Sequence, residues 1–246
     1  MVRRCVFISV LLWALLAGTA PAAPRDAPLR FDLATADSPP FSTVDGQGFY
    51  DRLLAEVFAR LEIELTIHGL PSERALREAN SGRMDGEFGR IPRIGELYSN
   101  LVMVDEPLTD WNFQAFVRKG SEAPSSFGDL RDYHVAYIDG WKFYEERVTE
   151  TRSTTLTANE TELFAILEAG RIDVALYNRL RGLSWIARNP GTPVEIAPEP
   201  LEVRSMHLFL HEDHAELAPR ISRELTRLKE SGRYAELQRE SFGFLP

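Results

Sequence analysis

Sulfur chemistry is all but absent: the 246-residue chain holds one cysteine, Cys5. A single thiol excludes a disulfide framework and a thiolate zinc site. Its place in the first few residues excludes a cysteine nucleophile in an exported, processed chain. Basic residues are also short, 28 against 37 acidic, and the net charge of −9 gives no footprint for a phosphate backbone. No local basic patch offsets that balance, so nucleic acid is excluded as a partner. Long apolar runs are missing after the N-terminus, where a membrane-spanning helix would need roughly 20 residues. The chain also lacks the Gly-x-Ser-x-Gly elbow, the Gly-x-x-x-x-Gly-Lys phosphate loop and the His-Glu-x-x-His pair, and with them the common hydrolase, nucleotide and zinc-protease chemistries.

What is present begins with an export signal. Arg3 and Arg4 form a positive head, Val6 to Ala17 is almost wholly apolar, and Ala20-Pro21-Ala22 matches the small-residue cleavage rule. Residues 1–22 read as a signal peptide cleaved near Ala22, which predicts a soluble periplasmic protein. Cys5 precedes the apolar run, so it cannot be the acylated cysteine of a lipoprotein. Loss of Arg3 and Arg4 takes the net charge to −11.

From Leu29 onward, short strand-like runs alternate with amphipathic helical runs, the pattern of α/β architecture. Leu29 to Thr35 reads as a strand, followed by the turn Asp37-Ser38-Pro39-Pro40. From Gly48 to Leu61 the apolar residues Phe49, Leu53, Val57 and Leu61 recur every four positions on one helical face. Ile63, Leu65 and Ile67 alternate as a half-buried strand. Ser72 after Pro71 is placed to cap a helix toward Asn80, and Gly82 to end it.

Two echoes predict a second, similar lobe. Gly82-Arg83-Met84-Asp85 recurs as Gly170-Arg171-Ile172-Asp173, each after a helical run and before an apolar strand. Leu33-Ala34-Thr35 leads through a turn to Gly48-Phe49-Tyr50, as Val135-Ala136-Tyr137 leads to Gly140-Trp141-Lys142. A helix start after such a glycine offers unpaired N–H groups to an anion. Asn159 and Glu162 form a capping-box-like start for a helix closed by Gly170. The apolar strands Trp111 to Val117 and Val203 to Leu210 flank this lobe as connectors, and a C-terminal helix runs from about His214 to Glu230.

Taken in order, Pro39-Pro40-Phe41, Gly48-Phe49, Gly82-Arg83-Met84-Asp85-Gly86, Glu106-Pro107-Leu108, Val117-Arg118-Lys119-Gly120, Asp129-Leu130, Gly170-Arg171-Ile172-Asp173 and Ser231-Gly232-Arg233-Tyr234 resemble type 2 periplasmic solute-binding proteins, specifically bacterial extracellular family 3 and its polar amino-acid binders. The resemblance runs from about Leu29 to the C-terminus. It implies an α/β fold of two lobes with a two-strand hinge and a ligand cleft between them: lobe 1 from 28–113 and 206–246, lobe 2 from 114–205.

The resemblance also nominates site residues. The family's carboxylate-holding arginine falls at Arg90 or Arg93, with Arg90 nearer the strand end, where it is equally placed to pair with Glu87 or Glu96. The family's small hydroxyl in the second lobe is replaced by Trp141, and its ammonium-neutralising aspartate by Asn178, which leaves a ligand ammonium without its expected partner. Phe41 and Trp141 fall on loops expected to face the cleft. Arg74, at the start of its helix, points either into the cleft or to solvent. Tyr50 and Tyr137 are candidates for the cleft, core packing or hinge support, and Trp111 for hinge packing.

His207, His211 and His214 with Glu212 and Asp213 invite a metal, but the cluster straddles a strand-to-helix corner, and the reading is no metal and no other cofactor. The chain is expected to be a monomer that closes over a small, carboxylate-bearing solute. The expected partner is an ABC transporter permease or a membrane sensor, the latter a separate protein on the reading that the chain carries no fused kinase or cyclase. Some proteins on this fold are dehydratases of cyclohexadienyl acids, and in that alternative Asp45, Asp51 or Glu87 would serve as acid or base.

Overall fold

The structure, a computed structural model, describes residues 29–243; the signal-peptide reading, residues 1–22, lies outside them. The first lobe opens with β1 (Leu29–Thr35), α1 (Phe49–Arg60), β2 (Ile63–Gly69), α2 (Ser72–Asn80), β3 (Gly86–Arg90), α3 (Ile94–Leu97) and β4 (Leu101–Met103). β5 (Thr109–Arg118) leads to β6 (His134–Ile138), α4 (Lys142–Arg147), β7 (Ser153–Thr157), α5 (Glu160–Glu168), β8 (Val174–Asn178), α6 (Arg179–Arg188) and β9 (Val194–Ile196). β10 (Glu202–His211) returns to the first lobe, where α7 (Ala218–Glu230) and α8 (Arg233–Phe242) follow a short 3-10 turn. That turn, Glu212–Leu217, takes the first part of the single helix expected from His214.

The strand order is β2-β1-β3-β10-β5-β8-β6-β7, with β4 also on β10 and β9 also on β5. Each lobe has a parallel nucleus: β1 between β2 and β3, and β6 between β7 and β8. Two long strands join them. Thr109–Phe113 of β5 pairs antiparallel with Glu202–Met206 of β10. Beyond Phe113, β5 continues onto β8 and β9, while β10 beyond Met206 continues onto β3 and β4. The two connectors therefore pair with each other exactly where the chain crosses between lobes.

The sequence echo has a physical basis. α2 and α5 both end in a Schellman arrangement, with Arg83 N–H donating to Glu78 O and Arg171 N–H to Ile166 O around left-handed Gly82 (φ +72°) and Gly170 (φ +67°). The aspartate of each motif then accepts from a backbone N–H of its lobe's central parallel strand, β1 or β6. Asp85 Oδ2 accepts from Asp32 N–H at 2.7 Å, and Asp173 Oδ2 from His134 N–H at 2.8 Å. Each four-residue motif thus ends one helix and registers one strand.

α1 forms because its apolar residues fall on one stripe, and Phe49, Leu53 and Val57 are fully buried. Burying side chains of this size stabilises by about 1.5–3 kcal/mol each. The C-terminal helices belong to the first lobe through that same face: Phe49 meets Tyr234 and Phe242 at ring distances of 5.3 and 5.0 Å. The loop before α1 is organised by buried Asp51, which accepts from Ser42 Oγ, Thr43 N–H and Gly48 N–H. This carboxylate, one of the acid or base candidates, is a structural cap.

Candidate functional site

The lobes meet around a narrow cleft, about 420 Å³ only when the space open to solvent is counted, whose wall includes Asp37, Arg90, Trp111, Trp141 and Phe88 together with Arg181. Asp37 leaves the end of β1, and Arg90 ends β3. Trp111 lies in the hinge segment of β5, and Trp141 precedes α4. Arg181 projects from the first turn of α6, on the opposite lobe from Asp37. The strand ends and helix starts of both lobes thus converge on one volume.

Arg90 is buried and heavily engaged. Its Nε donates to Glu87 Oε1 at 2.7 Å, its Nη2 reaches the same oxygen, and Nη1 and Nη2 donate to Ser72 Oγ and O at 2.8 and 2.9 Å. Ser72 Oγ in turn donates to Gly140 O of the second lobe at 3.0 Å. The expected Ser72 cap is corrected by these contacts: no side chain caps α2, because the hydroxyl is used across the cleft.

Asp37 and Arg181 form the second charged pair, 3.3 Å apart, with side chains only 3% and 5% exposed. Arg181 also donates from Nε to Ser38 Oγ at 2.9 Å and reaches Ala36 O with Nη2. Its guanidinium carbon lies over the rings of Tyr177, Trp141 and Trp111 at 4.8, 5.1 and 5.9 Å. Glu160 closes the group by accepting from Ser38 Oγ and Tyr177 Oη.

Two carboxyl oxygens in this neighbourhood are buried without a hydrogen-bond partner among the described residues: Asp37 Oδ2 and Glu87 Oε2. Burial pushes both carboxyls up to about 7, against the opposing pull of Arg181 and Arg90 on Asp37 and of Arg90 on Glu87. Asp37 Oδ2 rests over Gly89, where φ is +82° and a Cβ would lie 2.2 Å from it. Only glycine fits there, for the backbone angle and for the space.

Of the ligand-contact candidates named from sequence, Arg90 and Trp141 line the cleft and the others lie elsewhere; Trp111, expected in hinge packing, lines it as well. Phe41 is corrected from cleft to core: it is fully buried, stacked on Tyr50 at 4.9 Å and against Trp111 and Phe242, because its loop turns inward above α1. Tyr50 is core as well, accepting from Trp111 Nε1 at 3.0 Å, so it braces the hinge tryptophan from behind. Tyr137 packs on Tyr144 within the second lobe. Arg74 stays on the exposed side of α2 with Glu78, one turn away. Arg93 reaches over the rim to Glu146. Asn178 is used as the N-cap of α6, its Oδ1 accepting from Arg181 N–H at 3.0 Å, so it orients the arginine instead of meeting a solute in this cavity.

The histidines separate. His207 bonds Val104 O and Ser205 Oγ, His211 accepts from Asp213 N–H, and His214 pairs with Asp85. No cluster of three or more metal-type ligands occurs among the described residues.

Asp37 and Arg181 are the charged residues of the cleft wall that the sequence does not single out as ligand contacts. A signal existed for Arg181. Arg179 and Arg181 both fall in the first turn of α6 with no acidic residue beside them, a placement the helix dipole opposes. An arginine there and buried needs an anion from outside its own helix. Asp37 gave less warning, since an aspartate in Asp-Ser-Pro-Pro reads first as a turn residue.

A two-lobed α/β protein with a charged, aromatic-walled cavity at the lobe junction belongs to the solute-binding class. A family model for bacterial extracellular solute-binding proteins, family 3, matches residues 32–244, and the chain belongs to that family. It is 24% identical over 205 residues to an uncharacterized protein of Shewanella oneidensis, with 78% of this chain and 75% of that one covered. Among solved structures, the GluR0 ligand-binding core in complex with L-glutamate superposes with a TM-score of 0.78 at 16% identity, covering 87% of this chain and 99% of that one. A histidine kinase sensor domain similar to periplasmic binding proteins gives a TM-score of 0.73 at 20% identity, covering 90% and 100%. At these identities the superpositions establish the fold. The family is extracellular by description, and no helix among the described residues is long and apolar enough to cross a membrane.

Proposed function

We propose that the protein closes over a small zwitterionic solute of amino-acid type, with lobe 1 formed by 28–113 and 206–246 and lobe 2 by 114–205. The observation that carries this reading is the pairing of orphan acceptors with partly free guanidiniums in one cavity. Asp37 Oδ2 needs a donor, and an ammonium supplies one. Arg181 and Arg90 spend most of their N–H groups on Asp37, Ser38, Ser72 and Glu87, and those that remain are suited to a carboxylate. The faces of Trp111, Trp141 and Phe88 would take the solute's apolar part. The charge that Asn178 lacks is thus supplied from the first lobe, which restores an amino acid as a reasonable ligand. This is the role of an exported binding protein working with an ABC permease. Presentation to a separate membrane sensor is the second reading, favoured by the likeness to a kinase sensor domain. Both use the same closure step.

The test is a thermal-shift screen of the purified protein against amino acids, opines, and small aliphatic and aromatic acids, with each hit re-assayed for consumption. A solute at 100 times its dissociation constant adds about 2.7 kcal/mol. For a chain of this size that is a rise of about 5–10 °C. A hit recovered unchanged supports binding. Turnover would move the protein to the dehydratase-like alternative, and a response to acids without an amino group alone would remove Asp37 from the reading.

A further inference from the structure

The guanidinium of Arg181 sits where the geometry of a cation receptor is complete. Asp37 faces it at 3.3 Å from one side, and the rings of Tyr177, Trp141 and Trp111 surround it within 4.8–5.9 Å. Ser38 Oγ and Ala36 O accept from its edge. An aromatic cage closed by a carboxylate is what binds an organic cation from solution. Here the cage comes from the hinge strand, from the residue that precedes α4 and from β8; the carboxylate comes from the first lobe, and the cation from α6 of the second lobe. The arginine is therefore a tethered occupant of a slot made by other elements, and its entry is fixed by the Asn178 cap on its own backbone N–H.

We propose that Asp37 with Trp111, Trp141 and Tyr177 forms a subsite for a guanidinium or amidinium group, and that Arg181 fills it from within and so determines specificity. The native cleft then rejects solutes that carry such a group, because their slot is taken, and accepts solutes whose donor can use Asp37 Oδ2 while Arg181 keeps Oδ1. Shortening Arg181 opens the slot to a free cation. The inference rests on the cleft being the solute site.

The test uses methylguanidinium chloride as the probe against sodium chloride of equal ionic strength, with wild type, Arg181→Ala and the double variant Arg181→Ala/Asp37→Asn. The expected result is a rise of several degrees in the melting temperature of Arg181→Ala alone, together with a new response of that variant to L-arginine. An equal response in wild type, a response that survives Asp37→Asn, or none in Arg181→Ala overturns the proposal. If Arg181→Ala is recovered folded only with methylguanidinium, the slot is supported. If it is recovered in neither condition, Arg181→Gln is measured in the same way, and no response there overturns it. A solute hit in wild type without methylguanidinium rescue leaves the zwitterion reading standing and removes this one. Rescue without any solute hit does the reverse.

Discussion

Asp37 and Glu87 are the residues where burial and charge compete most directly. Their ordinary values are 3.8 and 4.5, and burial lifts both to about 7 despite the guanidiniums beside them. Over the window from about pH 4 to about pH 7 the folded chain therefore holds protons that the unfolded chain has released. Stability falls as pH rises wherever the native state binds more protons, so it is greatest below this window and declines through it. The melting temperature of the protein without added solute is expected to drop between about pH 4 and about pH 7, and Asp37→Asn or Glu87→Gln to flatten that drop. Melting curves across a buffer series check this, and a slope unchanged in both variants would place the titration elsewhere. Arg90 is set in the same balance. Its main partners are Glu87 and Ser72, so it supports the cleft floor.

At the scale of elements, the cleft is made of ends. β1 and β3 stop at Thr35 and Arg90, α6 starts at Arg179, and the loop after β6 reaches α2 through Gly140. The turn at Gly89 inside β3 is the narrowest of these junctions. Its φ of +82° and the 2.2 Å separation between a would-be Cβ and Asp37 Oδ2 leave no room for a side chain. Gly89→Ala is expected to cost about 1–3 kcal/mol in unfolding free energy. It should also weaken the response to any solute found in the screen, because Asp37 is displaced. Chemical denaturation reads the first effect and thermal shift the second. A variant that is less stable yet binds unchanged would show that Asp37 does not touch the solute.

For the whole molecule, closure is held by contacts of very different depth. At the centre, Arg181 and Asp37 are almost wholly shielded from water. At the rim, Lys142 joins Glu73 at 2.9 Å, and Arg93 meets Glu146 with side chains 47% and 43% exposed. Solvent-exposed pairs contribute about 0–1 kcal/mol. Arg93→Ala is therefore expected to leave solute affinity within about twofold and stability within about 1 kcal/mol. Isothermal titration and urea unfolding measure the two, and a tenfold loss of affinity would move Arg93 from the rim into the site. The competition between Arg90 and Arg93 for the solute's carboxylate would then be reopened.

The sequence by itself determined the class of fold, because its evidence is local. Apolar spacing marked α1, the repeated Gly-Arg-x-Asp motif marked two equivalent lobes, and the two long apolar strands marked the crossing. In each case the signal lies within a few residues of the element it specifies: Gly82 and Gly170 end the adjacent helices, and Asp85 and Asp173 bond the strands of their own lobes. The site was legible only at Arg90 and Trp141, which sit at the ends of recognisable elements. Phe41 is expected in the cleft from its loop and Asn178 from the family resemblance, but the direction of that loop and the needs of a helix cap turn them elsewhere. Tertiary structure alone decided that Asp37 meets Arg181. Those residues are 144 positions apart, and their pairing depends on how one lobe closes on the other, a geometry carried by no local spacing.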